Sequence, residues 1–291
     1  MTIDLSITDI VKGLLEKRFS AEELAKEFLN TAKKKDKDIH AFLNFTEDIA
    51  LNQAKEIDKK ISRGERLGVL AGVPCSVKDA ILVEGTPCTA GSKILEHYVA
   101  PYDATVVKKI KDAGAVIVGK TNMDEFGMGA STENSAFGPT KNPHDLTRVS
   151  GGSGGGSTAS VAAGECIIGL GEDTGGSIRL PSSFCGVVGL KPTYGAVSRH
   201  GVIALASSLD QVGPVAKTVE DAEILFNVIC GKDSLDSTSV ESKISNDEFL
   251  ISKLRIGVPK EYFEKGLDPA IEKVIREAIK KFEDAGAKIQ E

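Results

Sequence analysis

The segment SGGSGGGSTASVAAGECIIGLGEDTGGSIRLP, residues 150–181, sets Ser153 and Ser177 inside glycine-rich turns. Glycine is the costliest residue to order on folding, so its concentration here points to backbone needed where side chains would obstruct. Three chemistries use such a stretch. Converging N–H groups at a helix start can cradle a phosphate, and GGSGGGST nearly spells a P-loop, but Ser157 stands where the lysine must meet the phosphates. GGSGG also satisfies the G-x-S-x-G of a hydrolase nucleophile elbow. However, the preceding KNPHDLTRVS is no buried strand, and His40, His97, His144 and His200 all lie outside comparable glycine turns. That removes both the strand–turn–helix setting and the usual base.

The third chemistry keeps a serine nucleophile and takes lysine as the base. Ser177 lies in DTGGSIRLP, just after the apolar run IIGLGE, and backbone amides at Thr174, Gly175, Gly176 and Ser177 could converge on a developing oxyanion. Lys78 lies in AGVPCSVKDA among apolar residues. A lysine base must be neutral, which costs roughly 4 to 5 kcal/mol near pH 7, and deep burial in a dry site can supply a shift of that size. Ser153 would relay the proton between Lys78 and Ser177. On the residues alone, a flexible turn at 151–156 and a surface charge at Lys78 remain an equal alternative.

These groups need elements to hold them. Leu5, Ile7, Ile10, Val11, Leu14 and Leu15 follow a helical stripe. Ser20 and Glu23 spell a capping box for a second helix, which ends in KKKDKD, residues 33–38, read as a solvated helix end. From residue 68 short apolar runs between glycines predict strands, with DATVVKKIKDAGAVIVGK as helix, glycine stop and strand. TVEDAEILFNVICG predicts a helix capped by Thr218. After the polar KDSLDSTSVESKISNDEFL, LRIGVPKEY predicts a strand and Asp268–Pro269 starts a helix with Ile271, Val274, Ile275, Ala278, Ile279 and Phe282 on one face. The alternation predicts an α/β fold, with N-terminal helices over about 1–60, a catalytic core over about 68–230, a polar linker over about 232–250 and a partial α/β unit over 254–291.

Bulk composition narrows the class. With 291 residues, 41% of them hydrophobic, the chain can bury a sizeable core. A net charge of −6 repels phosphate backbones, and 5% aromatic residues with no tryptophan leave little for base stacking. Cys75, Cys88, Cys166, Cys185 and Cys230 are odd in number and widely spaced, which argues against zinc and disulfide frameworks and for reduced, mostly buried thiols. Neither a membrane span nor a signal peptide is legible, so the expected location is cytoplasmic.

The glycine–serine stretch resembles the amidase signature family, whose pattern reads GGS(S/G)GG, a helix, a strand and (D)xGGSIRxP; GGSGGGSTASVAAG and EDTGGSIRLPSSFCG stand in its place. The resemblance implies a mixed β-sheet covered by helices on both faces, here C-terminally incomplete because family members are longer. It implies a Ser–Ser–Lys triad of Lys78, Ser153 and Ser177, with a cis peptide bond at the bridging Ser153. It implies Met128 and Gly129 as substrate-pocket residues, and Asp173 and Arg179 as supports of the turn. Gly154 stands where many relatives have a second serine.

Beyond the signature, TNMDEFGMGASTENSAFGPTKNP and GLKPTYGAVSRHGVIALASSLDQVGP resemble the family's amidase subunits of aminoacyl-tRNA amidotransferases. This implies glutamine as substrate and no cofactor on this chain. It implies a partner B subunit, using ATP and magnesium and holding the tRNA, and a small C subunit. The family's Arg and Asp that grip glutamine fall in the part absent here. A free-standing amidase and a non-catalytic, partner-binding piece are the alternatives.

Overall fold

Helix starts follow from local hydrogen bonding. Ser6 and Ser20 cap α1 (Ile7–Leu15) and α2 (Ala21–Ile39), each in a reciprocal box with the carboxylate three residues on, Asp9 and Glu23. The computed structural model describes residues 5–242 and 250–290. The run KKKDKD departs from a merely solvated helix end. Asp36 is buried and accepts the N–H groups of Ala41 and Phe42, so the chain leaves the helix through the left-handed His40. The next element is a strand, β1 (Phe42–Phe45), inside a segment expected to be helical. Its aromatic residues suit a sheet edge better than a helix.

The first unit, Met1–Lys243, continues through α3 (Glu47–Ser62), β2 (Pro74–Lys78), α4 (Thr105–Asp112), β3 (Val116–Thr121), β4 (Lys141–Asn142), β5 (Asp145–Val149), α5 (Gly155–Ala162), β6 (Ile168–Asp173), α6 (Arg179–Cys185), β7 (Val188–Gly189), β8 (Gln211–Ala216) and α7 (Val219–Ile229). Six strands form one mixed sheet in the order β1-β3-β2-β6-β8-β7, flanked by helices. The central β3, β2 and β6 run parallel, while β1, β8 and β7 are added antiparallel. Every position of β2, β3, β6 and β8 is buried, as expected of strands covered on both faces. β4 and β5 form a separate, largely exposed hairpin, so the residues before Ser153 are indeed not a core strand.

α5 lies close against the sheet because its residues are small. Ser160 Oγ meets Ser76 Oγ at 2.9 Å, and Ser157 Oγ meets Thr121 Oγ1 at 2.6 Å. A side chain on Gly156 would run into the carbonyls of Ala41 and Asn122 at 2.5 Å. Thr218 caps α7 by accepting the Asp221 N–H. Of the segment expected to be a polar linker, the first part is fastened down. Asp233 accepts from Ser198 and Thr105, each at 2.6 Å, and Asp236 accepts the Arg199 N–H at 2.8 Å. Residues 243–249 of that segment lie outside the described residues.

The second unit, Ile244–Glu291, holds β9 (Arg255–Gly257) and β10 (Lys288–Gln290), parallel and joined through α8 (Pro269–Asp284). Asp268 caps α8 and Pro269 occupies its first turn. Of the apolar residues expected on one face, Ile271, Val274, Ile275 and Phe282 are exposed. Among the described residues no helix is long and apolar enough to cross a membrane, and no cluster of His, Cys, Asp or Glu could hold a metal ion.

One buried acid makes stability pH-dependent. Burial, reinforced by the charge of Asp36 and opposed by Lys35, pushes the Glu165 carboxyl up to about 9, and neither of its oxygens has a hydrogen-bond partner. Unfolded, the group ionises near about 4.3, so folding takes up a proton and stability falls as pH rises between those two values. Glu165→Gln should flatten this dependence, by up to about 1 kcal/mol per pH unit, in urea melts compared across neutral to mildly alkaline pH.

Candidate active site

Because β2 and β6 are parallel neighbours, with Val77 opposite Leu170, their last residues emerge at the same edge of the sheet. Lys78 ends β2 and Glu172 and Asp173 end β6. The Lys78 side chain is completely buried. Its Nζ lies 2.9 Å from Ser153 Oγ, 2.9 Å from the Glu172 carbonyl and 2.7 Å from Glu172 Oε2. Ser153 follows a cis peptide bond from Gly152 and is itself fully buried. The loop carrying it is tied to the turn carrying Ser177 by the Gly154 N–H, which donates to the Ser177 carbonyl at 3.1 Å. Lys78, Ser153 and the Ser177 turn, up to about 100 residues apart in sequence, thus meet at one point.

Ser177 is 6% exposed and lines an open cavity of about 290 Å³ together with Met128, Gly129, Thr174, Gly175 and Gly176. The structure therefore gathers Ser177 and the residues named for the oxyanion and the substrate around one cavity. Glycine is required by close approach. A Cβ on Gly152 would sit 2.2 Å from Asp124 Oδ2, and one on Gly154 would sit 2.6 Å from the Ser177 carbonyl. Asp124 fills that space because it accepts the N–H groups of Thr132 and Asn134 at 2.9 and 3.0 Å. A side chain at position 154 would force this backbone to shift. Gly176 has φ +138, a conformation open to few residues but glycine.

Asp173 holds the turn. Its carboxylate accepts the N–H of Gly176 at 2.8 Å and of Ile178 at 3.0 Å, and the Arg179 guanidinium at 3.1 Å through both Nε and Nη2. Burial pushes the carboxyl up, but the Arg179 guanidinium and the backbone N–H groups of Ile178, Arg179 and Gly176 outweigh it and leave Asp173 below the ordinary range. The same geometry corrects one expectation. The Gly176 N–H is committed to Asp173, so it is not free for an oxyanion, whereas Thr174 and Gly175 carry no such commitment to that carboxylate.

Two acids went unrecognised in the sequence. Glu172 contacts Lys78, and Asp210 reaches the site through Thr174 Oγ1 at 2.6 Å. The residue types do not tell which of the adjacent Glu172 and Asp173 meets Lys78: Glu172 does so through Oε2 and its carbonyl, while Asp173 is taken up by the Ser177 turn and Arg179. Asp79, next to Lys78, points away and pairs with the buried Lys120 at 2.8 Å. The thiols stay out of the chemistry. Burial pushes Cys75 up to about 12 and Cys88 and Cys185 up to about 11, and four of the five cysteines are buried.

A buried lysine touching a buried serine, beside a second serine that opens on a cavity, is an arrangement able to pair a serine nucleophile with a lysine base in place of histidine. The chain belongs to the Amidase family, whose model matches residues 23–291. It is 54% identical over 293 residues to the A subunit of glutamyl-tRNA(Gln) amidotransferase from Carboxydothermus hydrogenoformans, an alignment covering 99% of this chain and 60% of that protein. The crystal structure of the same-named subunit from Thermotoga maritima is similar at TM-score 0.86 and 45% identity, over 99% of this chain and 61% of that one. A bacterial aryl acylamidase of the amidase signature family is similar at TM-score 0.89 and 29% identity, over 98% and 60%. The chain thus spans about 60% of the length of the relatives it matches.

Two changes test this geometry. Gly152→Ala should lose about 1 to 3 kcal/mol in chemical denaturation, since Asp124 and the Ser131 N–H leave its methyl no room. Asp173→Asn should weaken the fold above about pH 4 and remove part of the acid sensitivity. A lowered carboxyl contributes stability that is full above its unfolded value and is lost as pH falls through the folded one.

Proposed function

We propose that this chain is the glutamine-hydrolysing subunit of an aminoacyl-tRNA amidotransferase, with Lys78, Ser153 and Ser177 as its catalytic triad. The observation that carries the reading is the buried 2.9 Å contact between Lys78 Nζ and Ser153 Oγ, beside a serine that opens on a cavity. The names of the relatives at about half identity point to the same role.

In this mechanism Ser177 Oγ attacks the side-chain amide carbon of glutamine. Its proton passes to Ser153 while the Ser153 proton passes to Lys78. The oxyanion takes backbone N–H groups from Thr174 and Gly175, and Met128 and Gly129 line the pocket for the substrate. Collapse of the tetrahedral adduct breaks the C–N bond, and the proton returns to the nitrogen as ammonia leaves. Water then hydrolyses the glutamyl ester, giving glutamate and restoring Ser177. A partner B subunit, with ATP and magnesium, uses the ammonia on Glu-tRNA(Gln), and the complex is completed by a small C subunit. The net charge of −6 fits that division, since tRNA needs a basic surface elsewhere.

A free-standing amidase is the second reading, favoured by the aryl acylamidase that shares the fold at TM-score 0.89. In the assembled amidotransferase, Ser177→Ala should lower ammonia release from glutamine about ten-thousandfold and leave transfer from free ammonium running. Loss of both activities would overturn the triad assignment. Hydrolysis of simple amides by the unpartnered chain, with no association with B and C subunits, would favour the second reading.

A further inference from the structure

Thr174 Oγ1 lies 3.0 Å from Glu172 Oε1 and 2.6 Å from Asp210 Oδ1. A hydroxyl has one proton to donate, so it cannot serve two ionised carboxylates. Both contacts are hydrogen bonds only if one carboxyl brings a proton of its own. Asp210 accepts the Leu205 N–H at 3.0 Å and the Ala206 N–H at 3.0 Å to each oxygen. Backbone donors of that kind favour an ionised carboxylate. Glu172 receives no backbone N–H among the described residues, and its other oxygen faces Lys78 Nζ at 2.7 Å.

We infer that Glu172 is a neutral carboxylic acid in the resting site, a positioning residue that donates from Oε1 to Thr174 and keeps the Lys78 lone pair turned toward Ser153. Thr174 then passes its own hydrogen to Asp210. With Glu172 neutral, the hydrogen count at Lys78 closes. An uncharged amine has two hydrogens and one lone pair. Glu172 O and Oε2 accept the hydrogens, and the lone pair is left for the Ser153 hydroxyl at 2.9 Å.

The other charged groups nearby are already matched. Asp79 pairs with Lys120 at 2.8 Å, and Asp173 pairs with Arg179 at 3.1 Å. Asp124, beside the Ser153 loop, accepts the Thr132 and Asn134 N–H groups, and Asp210 reaches Lys78 through Thr174 and Glu172. When Lys78 takes up the Ser153 proton, the two Glu172 oxygens already in place receive the ammonium. A carboxyl kept neutral in order to donate is established chemistry at other active sites.

The inference rests on Ser177 being the nucleophile, and a probe that ignores substrate specificity separates the two. A fluorophosphonate forms a bond from phosphorus to the Ser177 oxygen as fluoride leaves, the serine proton passing through Ser153 to Lys78. Its labelling rate, followed by mass spectrometry across pH, should rise along an acidic limb that coincides in the wild-type chain and Glu172→Gln. Glu172→Ala should label about tenfold to hundredfold more slowly, because it strands buried polar groups, and Glu172→Gln should recover most of that loss.

Were Glu172 an ionised counter-ion, Glu172→Gln would remove a negative charge beside Lys78 and move the limb down by about 1 to 3 pH units; that shift would overturn the inference. A Glu172→Gln variant as slow as Glu172→Ala would overturn it too. Should Glu172→Ala fail to fold, the isosteric comparison stands alone. Absence of wild-type label at Ser177 would overturn the nucleophile assignment and this inference with it.

Discussion

A completely buried amine at the end of β2 sets the terms for everything around it. A polar nitrogen in a dry environment must have its hydrogen-bonding capacity matched, because an unmatched polar group in low dielectric is costly. Lys78 meets that demand with three neighbours, Ser153 Oγ and two oxygens of Glu172. Those neighbours come from two different places in the fold. One is a glycine loop that must approach within a side chain's width; the other is the end of the adjacent parallel strand. Mixed sheet, small-residue helix and glycine loop can all be understood as conditions for bringing them together.

The glycines follow from the same constraint. Gly152 and Gly154 lie so close to Asp124 and to the Ser177 carbonyl that the loop bearing Ser153 can pass between Asp124 and the Ser177 turn only without side chains at those positions. α5 repeats the principle along its length, where Gly156, Ser157 and Ser160 let the helix settle on β2 and β3. Asp173 completes the frame by spending its acceptor capacity on the turn itself. The Arg179 partner of that carboxylate is half exposed, so much of the hold comes from the backbone donors.

The second unit follows different physics. α8 has a well-formed cap and an apolar stripe, yet Ile271, Val274 and Phe282 are exposed. Local signals suffice to make a helix, whereas burying its face needs a surface to pack against. In the first unit that surface is the six-stranded sheet.

Much of the molecule was legible in the residues themselves. Caps at Ser20 and Thr218, the apolar strands ending at Lys78, Thr121 and Asp173, and the helix–glycine–strand rhythm depend on neighbours a few positions apart, where sequence and geometry are nearly the same information. The glycine–serine pattern singled out Ser153 and Ser177, and the apolar setting singled out Lys78, because chemistry restricts which residue types can stand there. β1 escaped notice since Asp36 ends α2 by capturing backbone N–H groups, a choice composition does not reveal. Glu172 and Asp210 escaped for a deeper reason. Glu172 and Asp173 are adjacent at the end of β6, and only the folded strand end shows that Glu172 meets Lys78 while Asp173 turns to Arg179 and the Ser177 turn; Asp210 arrives from a loop some 35 residues on. Residue types and local rhythm were determined by the sequence alone; which charges share a dry site was settled only by packing, since burial and distance exist only once the strands are side by side.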